Sequence, residues 1–240
     1  MPDRNKRDDE RAFHAEAHGA FRDLVIQQEY PCVGARAALN GESYVLAVYD
    51  ELATGATTAA LAADLYEFTR STLREKSEYA TSVAVFRGPT GDDEAEFEQR
   101  FWRQLTALHA ADEEHFDWDP AVRSDPADPN FSFSFAGQAL YVIGLHPNSS
   151  RLARRFRWPT MVFNPHEQFE QLRAGGKWKR MQQTIRERDV ALQGSINPML
   201  SDFGQSSEAR QYSGRAVPAG WRAPFEAIKR VSAGKCPFAH

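Results

Sequence analysis

Residues 131–145, with the sequence FSFSFAGQALYVIGL, form the clearest strand pattern in this chain of 240 residues. Phenylalanine and serine alternate over 131–135, and this two-residue period is typical of a β-strand that buries one face. A Gly-Gln pair then leads into a second apolar run at 139–145. Two such runs joined by a short turn predict a β-hairpin.

Further helices and strands flank this hairpin. Apolar residues at three- and four-residue spacing predict helices at 10–29, 33–39, 56–76, 93–112, 166–173 and 177–192, and runs rich in β-branched or aromatic residues predict strands at 43–49, 82–86 and 160–163. Because strands and helices do not alternate one to one, we expect an α+β fold with a mostly antiparallel sheet packed by several helices. No linker divides the chain, so we expect one domain over residues 1–240, with 1–9 as a flexible charged N-terminus.

Composition and charge exclude several classes of protein. The chain has 29 Lys and Arg against 33 Asp and Glu, and its net charge of -4 argues against binding nucleic acid through bulk charge. No apolar run reaches the roughly 18–20 residues that span a bilayer, and the charged N-terminus does not resemble a signal peptide. Two cysteines, Cys32 and Cys236, exclude a disulfide scaffold and a cysteine-rich zinc site. We expect a cytoplasmic globular protein that binds neither nucleic acid nor membranes.

Cys32 follows a proline at the predicted start of a helix, in the sequence YPCVGAR of residues 30–36. Free backbone N–H groups and the helix dipole favour the thiolate form of a cysteine at such a position. A thiolate there can act as a nucleophile or as a ligand of haem iron. The alternative is a buried structural cysteine, which composition alone favours because free cysteine is among the most buried residue types.

Three histidines are further candidates. His109 lies on the apolar face of its predicted helix, which is the position of a proximal haem ligand but also of an ordinary core histidine. His146 ends a predicted strand and His166 begins a predicted helix. Both can face a site at the strand ends, or can cap a helix or brace a loop.

A basic run at 151–158 interleaves arginines with Leu152, Phe156 and Trp158. Such a run is usually a solvated surface. Arginines beside aromatic residues are also suited to pairing with carboxylates on a flat apolar cofactor, such as haem propionates. The candidates for this role are Arg151, Arg154 and Arg155.

The polar stretch at 201–215, SDFGQSSEARQYSGR, has no helical or strand periodicity. It is either an exposed loop or a lid over a ligand. Its Asp-Phe-Gly is not a kinase signature, because no glycine-rich loop accompanies it.

Several motifs in this order resemble those of the YqcI/YcgG family. They are the segments at 30–39, 101–109, 125–137, 144–147, 162–166, 207–215 and 236–238, which together span nearly the whole chain. The long form of the segments at 162–166 and 207–215 resembles the branch that contains the haem-dependent N-hydroxylases of guanitoxin and D-cycloserine biosynthesis. The resemblance therefore implies a haem b N-hydroxylase that acts on the guanidino group of arginine or a related small guanidine.

The resemblance also implies roles for the candidate residues. Cys32 is the first choice of axial haem ligand, His109 is the alternative, and His146 and His166 follow. Glu208 is the expected partner of the cationic guanidino group. The expected catalytic residues are Glu208, His166 and Tyr212, and the expected cofactor-binding residues are Cys32, His109, His146, Arg151, Arg154 and Arg155. The reaction requires an electron donor or peroxide, and a homodimer is compatible with it.

The residues themselves also allow two other classes of function. One is a haem-binding sensor or carrier without oxygenase activity, and the other is a non-haem thiol enzyme. The thiol enzyme would use Cys32 as its nucleophile, with His109 or His166 as the base.

Overall fold

The computed structural model describes residues 4–71 and 79–227. Cys236 and the motif at 236–238 lie outside these residues, as do residues 72–76 of the predicted third helix. The described helices are α1 (Arg4–Ile26), α2 (Val33–Asn40), α3 (Gly55–Arg70), α4 (Glu94–Asp112), α5 (His166–Ala174), α6 (Trp178–Gln193) and α7 (Ala209–Tyr212). The described strands are β1 (Tyr44–Glu51), β2 (Thr81–Gly88), β3 (Phe133–Phe135), β4 (Gln138–Leu145) and β5 (Thr160–Pro165).

The five strands form one sheet in the order β1-β2-β5-β4-β3. The pairs β2–β5, β5–β4 and β4–β3 are antiparallel, whereas β1 and β2 are parallel. This parallel pair arises because α3 connects the two strands, and a crossover of that length returns the chain in the same direction. The predicted α+β fold is confirmed. The sheet is mixed rather than purely antiparallel, because its edge strand β1 is parallel to β2.

The hairpin predicted from residues 131–145 is confirmed by β3 and β4, in which Phe135 lies opposite Gln138. Ala136 and Gly137 form its two-residue turn, with φ of 51° and 73°. Positive φ at both central residues matches the right-handed twist of the two strands. Phe131 lies outside β3, in an isolated bridge with Arg123.

One face of the sheet carries a core of aromatic side chains beneath α3 and α4. Phe97, Phe101 and Trp102 of α4 are buried against it. A Cβ atom on Gly144 of β4 would lie 2.9 Å from the Phe97 ring. The glycine is therefore what allows α4 to approach this strand closely.

The opposite face of the sheet is covered by α1 and α2, with a second core that includes Phe13, Phe21 and Val83. Helices α5 and α6 contact each other, and they contact β4 and α2 respectively on this side. The space between these helices and the sheet contains the candidate site.

The charged N-terminal segment is helical where the structure describes it. Residues 4–9 form the first turns of α1, and the flexibility of residues 1–9 stays a prediction. No proline or glycine interrupts the chain from Arg4 to His18, and the Asp9 carboxylate lies 2.7 Å from Arg87. Within the described ranges, no helix has both the length and the apolar character needed to cross a membrane.

Candidate active site

A pocket of about 230 Å³ lies between the sheet, α2, α5, α6 and the segment 197–211. Its walls are largely aromatic and aliphatic, and include Tyr30, Tyr141, Phe169, Leu172, Trp178 and Phe203. Its polar lining includes Cys32, Arg154, Asn164, Glu208 and Gln211. An apolar pocket with a few converging polar groups is the usual form of a site for a small molecule or cofactor.

Cys32 occupies the N-cap of α2, where its Sγ accepts a hydrogen bond of 3.3 Å from the N–H of Ala35. The predicted position at a helix start is therefore correct, and the side chain is partly exposed to the pocket. Burial raises the pKa of the Cys32 thiol, although the N–H groups of Ala35 and Gly34 and the cation of Arg154 act in the opposite direction. Without a bound cation, the thiol is the favoured form.

Arg154 is the arginine of the basic run that stands beside the thiol. Its guanidinium donates to three backbone carbonyl oxygens, those of Gly144 at 3.1 Å, Gln211 at 3.1 Å and Tyr212 at 3.4 Å. Among the residues that the structure describes, no carboxylate lies within ion-pair distance of it. Its positive charge therefore remains available to an anionic group in the pocket.

The other two arginines of the run have different surroundings. Arg151 also lines the pocket, but its guanidinium lies 2.6 Å from the buried carboxylate of Asp189 and donates to Ser195. Arg155 donates to the carbonyl of Ser149 at 3.0 Å and lies outside the pocket lining. The backbone of the run forms a 3-10 turn at Leu152–Arg154.

Glu208 brings a second functional group to the pocket. Its carboxyl group is buried, and Oε2 lies 3.3 Å from the hydroxyl of Tyr212. Burial raises the pKa of Glu208 to about 8, because it outweighs the opposing hydrogen bonds from Ser132 and Tyr212. The group is therefore a neutral acid at neutral pH, and a nearby cation would favour its ionisation.

His166 lies beside Glu208 at the first position of α5. Its Nδ1 is 3.6 Å from Glu208 Oε1, and its Nε2 is 3.5 Å from Glu170 Oε1. The ring packs against Phe203 with 4.5 Å between centroids, and burial lowers the pKa of the imidazole. The structure thus brings the three expected catalytic residues, Glu208, His166 and Tyr212, into one cluster.

His109 and His146 lie elsewhere. His109 is buried on the other face of the sheet, with its ring centroid 5.4 Å from Trp118 and 5.8 Å from Phe225. His146 stacks on Phe97 with 4.4 Å between centroids, and burial lowers its pKa. Neither side chain lines the pocket that contains Cys32.

The sequence analysis missed several polar residues of the pocket. Tyr141 donates a hydrogen bond of 3.0 Å to Gln211 Oε1, and its partner in the sheet register is Asn164. Asn164 accepts a hydrogen bond of 2.6 Å from Thr81. The alternation along β4 gave a signal for Tyr141, because it lies on the same face as Ile143 and Leu145, whereas Gln211 lies in a stretch without periodicity.

Comparison with known proteins identifies the family of this chain. The family model described as the YqcI/YcgG family matches residues 21–226, which include the last six residues of α1 and every later element to the end of α7. The chain therefore belongs to the YqcI/YcgG family. No curated protein and no solved structure matches it.

Proposed function

We propose that this protein is a haem-dependent N-hydroxylase of a small guanidino compound. The observation that carries the proposal is that one pocket holds both the thiol of Cys32 and the buried carboxyl group of Glu208. Thiolate ligation of iron is suited to oxygen activation, and a carboxylate is the natural partner of a guanidinium. The pocket therefore contains a candidate ligand for haem iron, Cys32, and a candidate partner for the substrate, Glu208.

The residues of the pocket fit haem b in their chemistry. Cys32 would supply a sulfur ligand, and coordination to iron would favour its thiolate even though burial raises the pKa of the thiol. The aromatic and aliphatic walls suit a flat apolar macrocycle, and Arg154 is the first candidate to pair with a propionate. When bound, haem would supply the oxidising chemistry that hydroxylates nitrogen.

Glu208 and its neighbours would hold the substrate. A guanidinium presents parallel N–H donors to the two oxygens of a carboxylate, so ionised Glu208 can hold the cation in a defined orientation. The hydroxyl of Tyr212, 3.3 Å from Oε2, fixes the carboxyl group from behind. Phe169 and Phe203 would limit the access of water to this pair.

The alternative functions receive less support. A haem-binding sensor or carrier has no need of a buried carboxyl group beside its cofactor. A thiol enzyme needs a base near Cys32, but the ring nitrogens of His166 face Glu208 and Glu170. His109 lies on the opposite face of the sheet from the thiol, and burial further disfavours the free thiolate.

The proposal includes partners of defined chemistry. Hydroxylation by molecular oxygen requires two electrons from a donor, whereas peroxide supplies the same oxidising equivalents by itself. A cytoplasmic location and a homodimer are compatible with this reaction.

Spectroscopy and product analysis test the proposal together. The purified chain is titrated with haem, and we expect a Soret band and a ferrous–CO band of the thiolate type. Incubation with arginine or methylguanidine and an oxidant should then yield a product heavier by one oxygen atom. A protein that binds no haem contradicts the proposal, and a haem protein that oxidises no guanidine supports the sensor or carrier.

A further inference from the structure

Three side chains form a line from the pocket to the surface. Glu208 lines the pocket, His166 is buried behind it, and the side chain of Glu170 is 50% exposed. His166 stands between the two carboxyl groups, with Nδ1 at 3.6 Å from Glu208 and Nε2 at 3.5 Å from Glu170. Small movements of these side chains would bring either pair into hydrogen-bond distance.

The protonation states of the three groups complement one another. With its proton on Nε2, a neutral His166 faces the carboxylate of Glu170 with a donor and presents Nδ1 as an acceptor. This Nδ1 is buried and has no hydrogen-bond partner within the described part of the chain. The raised pKa of Glu208, about 8, makes its carboxyl group the neighbouring acid that can donate to Nδ1.

The other polar and charged groups near His166 and Glu208 do not change the protonation states of these two residues. Glu170 and Asp119 act to raise the pKa of His166 and Arg173 acts to lower it, but burial is the largest effect and keeps the ring neutral. Around Glu208, Ser132, Tyr212 and Arg173 act to lower its pKa and Glu170 acts to raise it, and burial again dominates.

We propose that His166 carries away the proton that Glu208 loses when a guanidinium binds, and passes it to solvent at Glu170. The inference rests on the proposed function, in which Glu208 is the guanidinium partner. The O–H bond of Glu208 breaks and an N–H bond forms at Nδ1, while the proton on Nε2 leaves to Glu170 and then to water. The electron pair of the broken bond stays on Glu208, whose negative charge balances the guanidinium.

The position of His166 lets the proton leave Glu208 without passing through the pocket. A ligand in the pocket covers the pocket side of Glu208, so direct exchange of its proton with pocket water is blocked. His166 contacts the carboxyl group from α5, outside the pocket lining, and ends at a half-exposed side chain. The route therefore stays open while the site is occupied.

Stopped-flow mixing with methylguanidine at neutral pH tests the relay. Binding is followed by tryptophan fluorescence, since Trp178 lines the pocket, and proton release is followed by an indicator dye in weak buffer. In the wild type, the proton should appear at the rate of binding. In His166→Gln, binding should persist while proton release lags by about tenfold or more, because an amide does not replace an imidazole as a proton carrier. His115→Gln, at an exposed histidine, is the matched control and should behave as the wild type.

The outcomes separate the relay from the proposed function. Proton release at the rate of binding in His166→Gln overturns the relay and leaves Glu208 as the guanidinium partner. Absence of binding in the wild type removes that role of Glu208 and the relay with it. Binding without proton release shows that Glu208 is already ionised, which overturns the relay alone. If His166→Gln does not fold, His166→Asn takes its place under the same criteria. Unslowed release in Glu170→Gln overturns the exit at Glu170.

Discussion

The buried carboxylate of Glu98 on α4 accepts a hydrogen bond of 2.9 Å from the hydroxyl of Ser213, the residue that follows α7. Arg215 and Trp221 donate to the same carboxylate at 2.5 Å and 3.1 Å. These bonds hold the segment after α7 against α4. Since α7 follows Glu208 directly, Glu98 also stabilises the wall of the pocket that carries this residue.

Replacement of Glu98 should destabilise the fold. Glu98→Gln keeps the size of the side chain but removes the charge that Arg215 faces, and hydrogen bonds to charged groups contribute about 1.5–3 kcal/mol each. We expect the free energy of unfolding to fall by a similar amount in chemical denaturation. Glu114→Gln, at an exposed position of the turn after α4, is the control and should leave it unchanged. Equal stability of both variants would show that the Glu98 contacts contribute nothing net.

Replacement of Cys32 tests whether its thiolate would hold the haem iron. Cys32→Ala should abolish the thiolate-type ferrous–CO band, because no cysteine then remains on the described wall of the pocket and the thioether of Met181 cannot form a thiolate. His109→Gln should retain that band, since His109 lies on the other face of the sheet. Visible spectra of the two haem-loaded variants are the measurement. The reverse result would transfer the role of ligand to His109.

Replacement of Arg154 tests its contribution to haem retention. Arg154→Met removes the cation beside Cys32, and loss of a charge-assisted hydrogen bond should weaken haem affinity by roughly ten- to a hundredfold. Arg155→Met is the matched control, because Arg155 lies outside the pocket lining. Haem titration of the two apoproteins compares them, and circular dichroism reports whether each is folded. Similar affinities in folded variants would exclude Arg154 as a propionate partner.

Replacement of Glu208 tests the guanidinium partner. Glu208→Gln keeps the shape but removes the charge, and its amide hydrogens face those of the guanidinium. Affinity for methylguanidine and arginine should fall by about 2–5 kcal/mol for a desolvated pair, with the haem spectrum unchanged. Glu167→Gln, an exposed position on α5, serves as the control in the same spectral titration. Unchanged affinity in Glu208→Gln would assign the cation to another group.

The raised pKa of Glu208 predicts two pH dependences. Its pKa is about 8 in the folded protein against an ordinary value of 4.5, so the folded state holds an extra proton between these values. The contribution of Glu208 to stability is therefore complete below pH 4.5 and declines as the pH rises towards 8. Affinity for a guanidinium should rise over the same range, because the ionised carboxylate binds the cation. Glu208→Gln should remove both trends, and parallel pH profiles of unfolding and binding in the two proteins check this.

The local elements were predictable from residue patterns. The hairpin at 131–145 follows from a two-residue period and a glycine, which specify strand and turn without reference to distant residues. Helix α4 follows from its apolar spacing, and its N-terminus from the capping box of Asp93 and Glu96. The position of Cys32 at a helix start was also local information, because Pro31 restricts the backbone just before it.

The site depended on contacts between distant parts of the chain. Glu208 and His166 are 42 residues apart and meet because α7 and α5 both pack against β4. The helical spacing of His109 predicts that it is buried, but not which face of the sheet its helix covers. The sequence therefore could not show that His109 and Cys32 lie on opposite faces of the sheet. The helix start favoured a thiolate at Cys32, but burial by the surrounding fold reversed the direction of its pKa shift. The periodicity of the sequence shows which face of each helix or strand is apolar. Only the packing of these faces in the fold decides which polar groups share one pocket and become desolvated there.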